Sequence, residues 1–334
     1  MSQGMPETRA VALVVGIALS MAGVAMAQQG PVTAMFGDDQ KRDASLAASF
    51  VTVDVPAASA AGGPLRVLFS AGDLERAFDR PAFRPDAAIV PTNTDLQIAA
   101  TSPGTQRVLI DRVQKHIEVM RDLESQIATR RTQAPAATRG EPGLLRIGMD
   151  HVAVRLSPAA ASQSPGEFPK AACLVATDFA AGGAVDRREL FAQDRMRQGI
   201  AACLEAMDAA GARSLVVPLM GAGSAKVQTN DATYEGQRAL KECRLINSTA
   251  GIALGIHDFA ARRRTLSEIG IVQWDQEIVD MFKVPTGSRA ERSAQIAYRA
   301  YSEQVAAALR RGLAGQKTTP TDLNGSCSAI LSSQ

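Results

Sequence analysis

Apolar and polar side chains alternate through Ser49-Phe50-Val51-Thr52-Val53-Asp54-Val55, the period expected of a half-buried strand. Leu65-Arg66-Val67-Leu68-Phe69 repeats that pattern after an Ala/Gly/Pro loop, and Ala87-Ala88-Ile89-Val90 makes a third strand. The period then changes. Over residues 106–129, Val108, Val113, Ile117, Met120 and Leu123 recur near helical spacing among charges, which predicts a helix. Residues 144–147 and 151–156 read as short strands, and 171–176 as a buried one. A helix over 187–210 follows, then Ser214-Leu215-Val216-Val217-Pro218-Leu219-Met220, a short apolar run typical of an interior parallel strand. A helix over 233–262, a strand over 268–274, a short helix over 276–282 and a helix over 288–313 complete the pattern. In the last of these, Ala294, Ala297, Tyr301, Val305 and Ala308 form one stripe with arginines opposite, which suits packing on the domain; a partner-binding role is the alternative. Strands alternating with helices imply an α/β fold with a mostly parallel sheet.

The ends of the chain have a different character. Arg9 precedes an apolar run over residues 10–27 that closes in Ala25-Met26-Ala27, small residues suited to a signal peptidase. Cleavage there would start the mature chain at Gln28 and export it, to a periplasm or out of the cell. The alternative is membrane attachment through residues 10–27, because a membrane-crossing helix needs about 20 residues. Residues 28–47 read as a linker, 48–284 as the folded domain, 285–313 as an appended helix and 314–334 as a loose tail. Residues 130–143 read as a flexible insertion.

Composition narrows the chemistry. With 46% apolar and 21% charged residues the chain can close a core, and 36 basic against 34 acidic residues leave a formal charge of +2, which argues against nucleic acid as a partner. His116, His151 and His257 and the four cysteines show no CxxC or HxxxH spacing, so no metal site is expected, and no cofactor is indicated. Export would permit disulfides. Cys173 and Cys203 lie in apolar runs and read as ordinary core residues; if one pair bridges, Cys243 with Cys327 is the expectation, as a pin for the tail.

Two loops carry the candidate chemistry, each after a predicted parallel strand, where ligands bind in open α/β sheets. The first is Pro91-Thr92-Asn93-Thr94-Asp95 and the second Gly221-Ala222-Gly223-Ser224-Ala225. Glycines let backbone N–H groups turn toward a phosphate, and a helix N-terminus beyond them adds favourable field. A dinucleotide-binding loop would need a third glycine where Lys226 stands, and neither a Walker lysine nor a GxSxG elbow is present.

Four stretches together resemble the macro domain, a family of ADP-ribose binders: Val67 through Gly72-Asp73-Leu74, Ile89-Val90-Pro91-Thr92-Asn93-Thr94-Asp95, the run from Ser214 to Ser224, and the segment from Glu268 to Phe282. The likeness covers roughly residues 49–283 and implies a three-layer α/β/α sandwich with a mixed, mostly parallel sheet. By the same likeness Asp73, with the Leu74 backbone, would hold the adenine amino group; a turn-forming or helix-capping aspartate is the plainer alternative. The segment with Asn93, Thr94 and Asp95 would border the distal ribose, although Asn93 also suits an Asx-turn. Gly221, Ala222, Gly223 and Ser224 would wrap the diphosphate, and Trp274 would offer an aromatic face to adenine or else fill the core.

The departures from that family bear on activity. The Gly-rich run that follows the first loop in active relatives is replaced by Leu96-Gln97-Ile98-Ala99-Ala100, and the Asn-Ala-Ala-Asn pattern by Pro-Thr-Asn-Thr. The asparagine tied to hydrolysis has no secure counterpart, so no catalytic residue is assigned. The expectation is binding of ADP-ribose or a related nucleotide without efficient catalysis. ADP-ribosyl hydrolysis and a macro-like scaffold for protein contacts are the alternatives.

Overall fold

The computed structural model describes residues 51–55, 63–71, 85–93, 125, 128–129, 151–155, 171–178, 193–220, 234–273, 289–319 and 322. Among these residues the elements run β1 (Val51–Val55), β2 (Leu65–Ala71), β3 (Ala87–Asn93), β4 (His151–Arg155), β5 (Ala171–Asp178), α1 (Gln193–Ala209), β6 (Ser214–Pro218), α2 (Tyr234–Ala260), β7 (Glu268–Gln273) and α3 (Arg289–Leu313). The helix expected over 106–129 is described only at Ser125, Ala128 and Thr129, which are helical. The strand at 144–147, the helix at 276–282, the insertion at 130–143 and residues 1–47 lie outside the described residues.

The strands form one sheet in the order β1-β2-β7-β6-β3-β5-β4. β2, β7, β6, β3 and β5 run parallel, and β1 and β4 close the edges antiparallel. This is the mixed, mostly parallel α/β sheet expected. Its interior strands are apolar in both directions because both faces are covered. Val67, Phe69, Ile89, Cys173, Leu215, Val217, Ile269 and Ile271 share a core with residues of α1, α2 and α3. Leu68, Ala88, Val90, Leu174, Val216 and Val272, on the opposite face, are buried too.

Helix α2 is the centre of its layer, and residues through most of its length are buried. Gly255 lets α1 approach it: a Cβ there would stand 2.9 Å from the Arg197 carbonyl oxygen and 2.9 Å from Ile200. On the other flank α3 packs Tyr301, Val305, Ala308, Leu309 and Leu313 into the same core. Beyond α3 the chain turns back onto α1, although its composition reads as loose. The Gln193 amide donates to the Thr318 carbonyl at 2.7 Å and accepts from the Thr318 N–H at 3.2 Å, and Lys317 meets Asp194 at 2.6 Å.

Helix α1 stops where Gly211 takes a φ of +81°, a conformation that costs a glycine little. Gly211 N–H donates to the Asp208 carbonyl and Ala212 N–H to the Met207 carbonyl, the paired bonds of a Schellman ending. The same turn exposes the Asp208 carboxylate to the segment leading into β7. It accepts from the N–H groups of Arg264, Thr265 and Leu266 at 2.8, 2.7 and 2.7 Å, and from the Thr265 hydroxyl at 2.8 Å. Burial pushes this carboxyl up, but those donors outweigh it, and its pKa lies below the usual aspartate value.

The cysteines correct the sequence reading. Cys173 of β5 and Cys203 of α1 are joined as a disulfide with Cα atoms 5.7 Å apart, not left as separate core residues. An apolar run shows that a cysteine is inside and not which neighbour it meets; α1 packs across β5 and brings the two together. Cys243 is disulfide-bonded as well, as the expected pairing requires, while Cys327 lies outside the described residues.

Candidate functional site at a split in the sheet

The strands that precede the four candidate segments are neighbours. β2, β7, β6 and β3 lie side by side and parallel, so their carboxyl ends, at Ala71, Gln273, Pro218 and Asn93, reach the same edge of the sheet. The chain leaving β3 goes on to β4 and β5 on one side, whereas the chain leaving β6 goes to β7 on the other. The boundary between β3 and β6 is therefore a topological switch point, the place where open α/β sheets leave a crevice for ligands.

The sheet is also split there. β3 and β6 pair only at Ala87↔Leu215 and Ala88↔Val216, while β3 stays paired with β5 as far as Asn93↔Asp178 and β6 with β7 as far as Pro218↔Val272. Leu219 N–H donates to the Val272 carbonyl at 2.8 Å, so odd-numbered residues of β6 face β7 and even-numbered ones face β3. On β3 the ladder to β5 continues unbroken past Pro91, so the amide side of Pro91 faces β6. The next two rungs between β3 and β6 would then need N–H groups from Pro218 and Pro91, and neither has one. At the amino end the two strands are fastened instead: Asp86 N–H donates to the Ser214 carbonyl at 2.9 Å, and the Asp86 carboxylate accepts from Arg213 N–H at 2.9 Å. The hydrogen-bonded pairing of β3 with β6 is thus confined to the amino ends of the two strands.

Of the predicted site residues, Asn93 is described. It is the last residue of β3, opposite Asp178 and beyond a register shift after Thr92. Pro91, Thr92 and Asn93 thus belong to the strand, not to a loop as their composition suggests. Asp73 and Leu74 follow β2, Thr94 and Asp95 follow β3, Gly221, Ala222, Gly223 and Ser224 follow Met220, and Trp274 follows β7. All nine lie outside the described residues.

Buried polar groups at this edge escaped the sequence reading. Thr92 is 1% exposed, and its hydroxyl has no hydrogen-bond partner among the described residues. Behind the second loop, Met220 N–H donates to the Ser248 hydroxyl of α2 at 3.3 Å. Arg244, Asn247 and Ser248 are all buried on α2. Their signal was legible as three polar residues at i, i+3 and i+4 in a helix otherwise rich in Leu, Ile and Ala, a pattern easily taken for a solvated face. Asn247 accepts from the Gln193 amide at 2.8 Å, which locks α2 to α1. At the end of β7 the buried Gln273 amide donates to the Tyr301 hydroxyl of α3 at 2.6 Å.

The described titratable groups give this edge no evident acid–base pair. Glu242 lies on α2 beside Arg238 at 3.1 Å; burial raises its pKa more than that cation lowers it. His257 is at the far end of α2, its Nδ1 3.0 Å from the Leu313 carbonyl oxygen. Among the described residues no three His, Cys, Asp or Glu side chains gather as a metal site. What the described part of the edge offers is a short β3–β6 pairing, the buried Thr92 hydroxyl and the Ser248 hydroxyl held by Met220 N–H. No protein-family model and no curated protein matches the sequence.

Proposed function

We propose that this protein binds ADP-ribose or a related nucleotide in the crevice between β3 and β6, as a macro-type module that works outside the cytoplasm. The observation that carries this reading is the common destination of the four family-like stretches. They are scattered over more than 200 residues, yet the strands that precede them are adjacent and end at the one edge where the sheet is split. A phosphate bound there would meet backbone donors of the Gly221–Ser224 segment, and an adenine would lie toward Asp73 and β2.

The disulfide between Cys173 and Cys203 supports the extracytoplasmic part, because such bonds persist in oxidising compartments and are rare in the cytosol. Residues 10–27 would then be the export signal or the anchor of the domain. The ligand test is calorimetric titration of the full-length protein with ADP-ribose, with AMP and ribose 5-phosphate as controls, repeated on Asp73→Ala. Micromolar binding of ADP-ribose that weakens at least tenfold in the variant is the expected result. A wild-type protein that takes up none of the three compounds would rule the reading out.

A further inference from the structure

The chain beyond α3 is held down with little hydrophobic burial. Ala314-Gly315-Gln316-Lys317-Thr318-Thr319 contains no large apolar side chain, and all but Thr318 are exposed. Gly315, at a φ of +76°, ends α3 by donating its N–H to the Gly312 carbonyl, and Gln316 N–H donates to the Arg311 carbonyl. A Cβ on Gly315 would also stand 2.7 Å from Nε2 of His257 on α2, so the bend needs a glycine on both counts. From there the chain reaches α1, where one side chain receives it. The Gln193 carboxamide accepts from Thr318 N–H at 3.2 Å and donates to the Thr318 carbonyl at 2.7 Å, and the same Nε2 donates to Oδ1 of Asn247 on α2 at 2.8 Å. Both Nε2 hydrogens and the oxygen are thereby used. The other anchors are weaker. In the Lys317–Asp194 pair both side chains are more than half exposed, and such ion pairs add little. Thr318 is 6% exposed, and its hydroxyl has no hydrogen-bond partner among the described residues, which disfavours the docked state. A short strap with one strong catch, little apolar burial and an unsatisfied hydroxyl has the makeup of a locally opening unit.

We infer that residues 314–319 are a latch: a strap that opens and closes on the α1–α2 junction independently of the core, with the Gln193 carboxamide as its catch, and whose closure steadies the chain where it leaves β6. The link to β6 runs through consecutive residues of α2. Asn247 is held by Gln193, and Ser248 accepts the Met220 N–H at 3.3 Å. A carboxamide gripped on three sides has one rotamer; once the strap leaves, Gln193 is free to turn toward water. Asn247 then loses its fixed donor, and the turn of α2 that carries Ser248 loosens with it. The latch does not depend on which ligand the protein binds.

The test is amide hydrogen exchange on the full-length oxidised protein and on two near-isosteric variants that push the latch in opposite directions, with thermal unfolding of each. In the wild type the Thr318 amide is expected to be protected about a hundredfold less than those of Ala253 and Leu254 in α2, and to exchange at a rate indifferent to low urea, the mark of local opening. Gln193→Leu removes the catch, and protection should fall at least tenfold at residue 318 and at least threefold at Met220. Thr318→Val replaces the unpaired hydroxyl with a methyl and keeps the N–H and carbonyl that Gln193 grips, so protection at both positions should rise several-fold. Asp194→Ala removes only the exposed ion pair and should change either by less than twofold. Should Gln193→Leu not fold, Thr318→Val and the urea dependence of the wild type decide. A residue-318 amide that exchanges only as the core unfolds, variants that shift it in the same direction, or an Asp194→Ala protein as open as Gln193→Leu overturns the inference. So does a Met220 amide indifferent to both near-isosteric changes.

Discussion

Asp208 is a carboxylate that works for the fold rather than for a ligand. Three consecutive N–H groups converge on it, at the point where the chain must turn from α2 into β7. In the sequence it is one more charged residue near the end of a helix, and its role depends on a segment 56–58 residues further on, so no local pattern could reveal it. Asp208→Asn keeps one acceptor oxygen but sets an amide donor against other donors, and each charge-assisted bond is worth roughly 1.5–3 kcal/mol. The variant is expected to lose about 2–4 kcal/mol at pH 7, measured by urea unfolding. The pH dependence has a definite sign. Because the folded pKa is lowered, the unfolded chain binds the proton more readily; the stabilisation is complete above the unfolded value near 4 and is lost as pH falls through the folded one. Between about pH 5 and pH 2 the wild type should therefore lose more stability than Asp208→Asn. Parallel losses in the two proteins would show that this carboxylate is not what the acid titrates.

Elements were legible where a run of side chains serves a single environment. The strands now labelled β1, β2, β4, β5, β6 and β7, and the cores of α1, α2 and α3, stand where periodicity puts them, because burial on one stripe or both faces is written locally. β3 is different. Its last three residues, Pro91, Thr92 and Asn93, have turn composition, yet they remain in the ladder because β5 supplies the partner and the proline's missing donor faces the other way. Only the strand order reveals that Pro91 and Pro218 look at one another across the same gap, and strand order is a long-range property. The two prolines make a test of the split itself. Pro218→Val restores an N–H on the side facing β3, so that amide should exchange slowly and the β3–β6 pairing should lengthen by a rung. The same change would narrow the crevice proposed to hold the ligand. We expect a melting temperature equal to or above that of the wild type together with ADP-ribose affinity lowered several-fold. A new amide that exchanges as fast as those of exposed loops would mean that something other than the prolines holds the strands apart.

At the scale of the whole molecule the disulfide connects the fold with the site and the compartment proposed for it. It ties β5, the neighbour of β3, to α1, and α1 is bound in turn to α2 and to the returning C-terminal segment. The site edge thus hangs on a layer that is cross-linked to the sheet. The sequence could hint at export through residues 10–27 but could not pair the cysteines, since pairing depends on which helix crosses which strand. Closing a loop with a sequence separation of 30 residues should stabilise the fold by roughly 3–4 kcal/mol through lost freedom of the unfolded chain. The double variant Cys173→Ala/Cys203→Ala should show that loss in urea unfolding. Wild-type protein folded under reducing conditions should lose at least as much, because Cys243 is disulfide-bonded too. The proposed export makes a matching demand on the protein in cells. Produced with residues 1–27 in an exporting host, it should be recovered outside the cytoplasm with Cys173 and Cys203 oxidised, and produced without them it should accumulate reduced and melt lower. Protein that stays in the cytoplasm with both thiols free, and melts no lower than its oxidised form, would separate the fold from the oxidising compartment proposed for it.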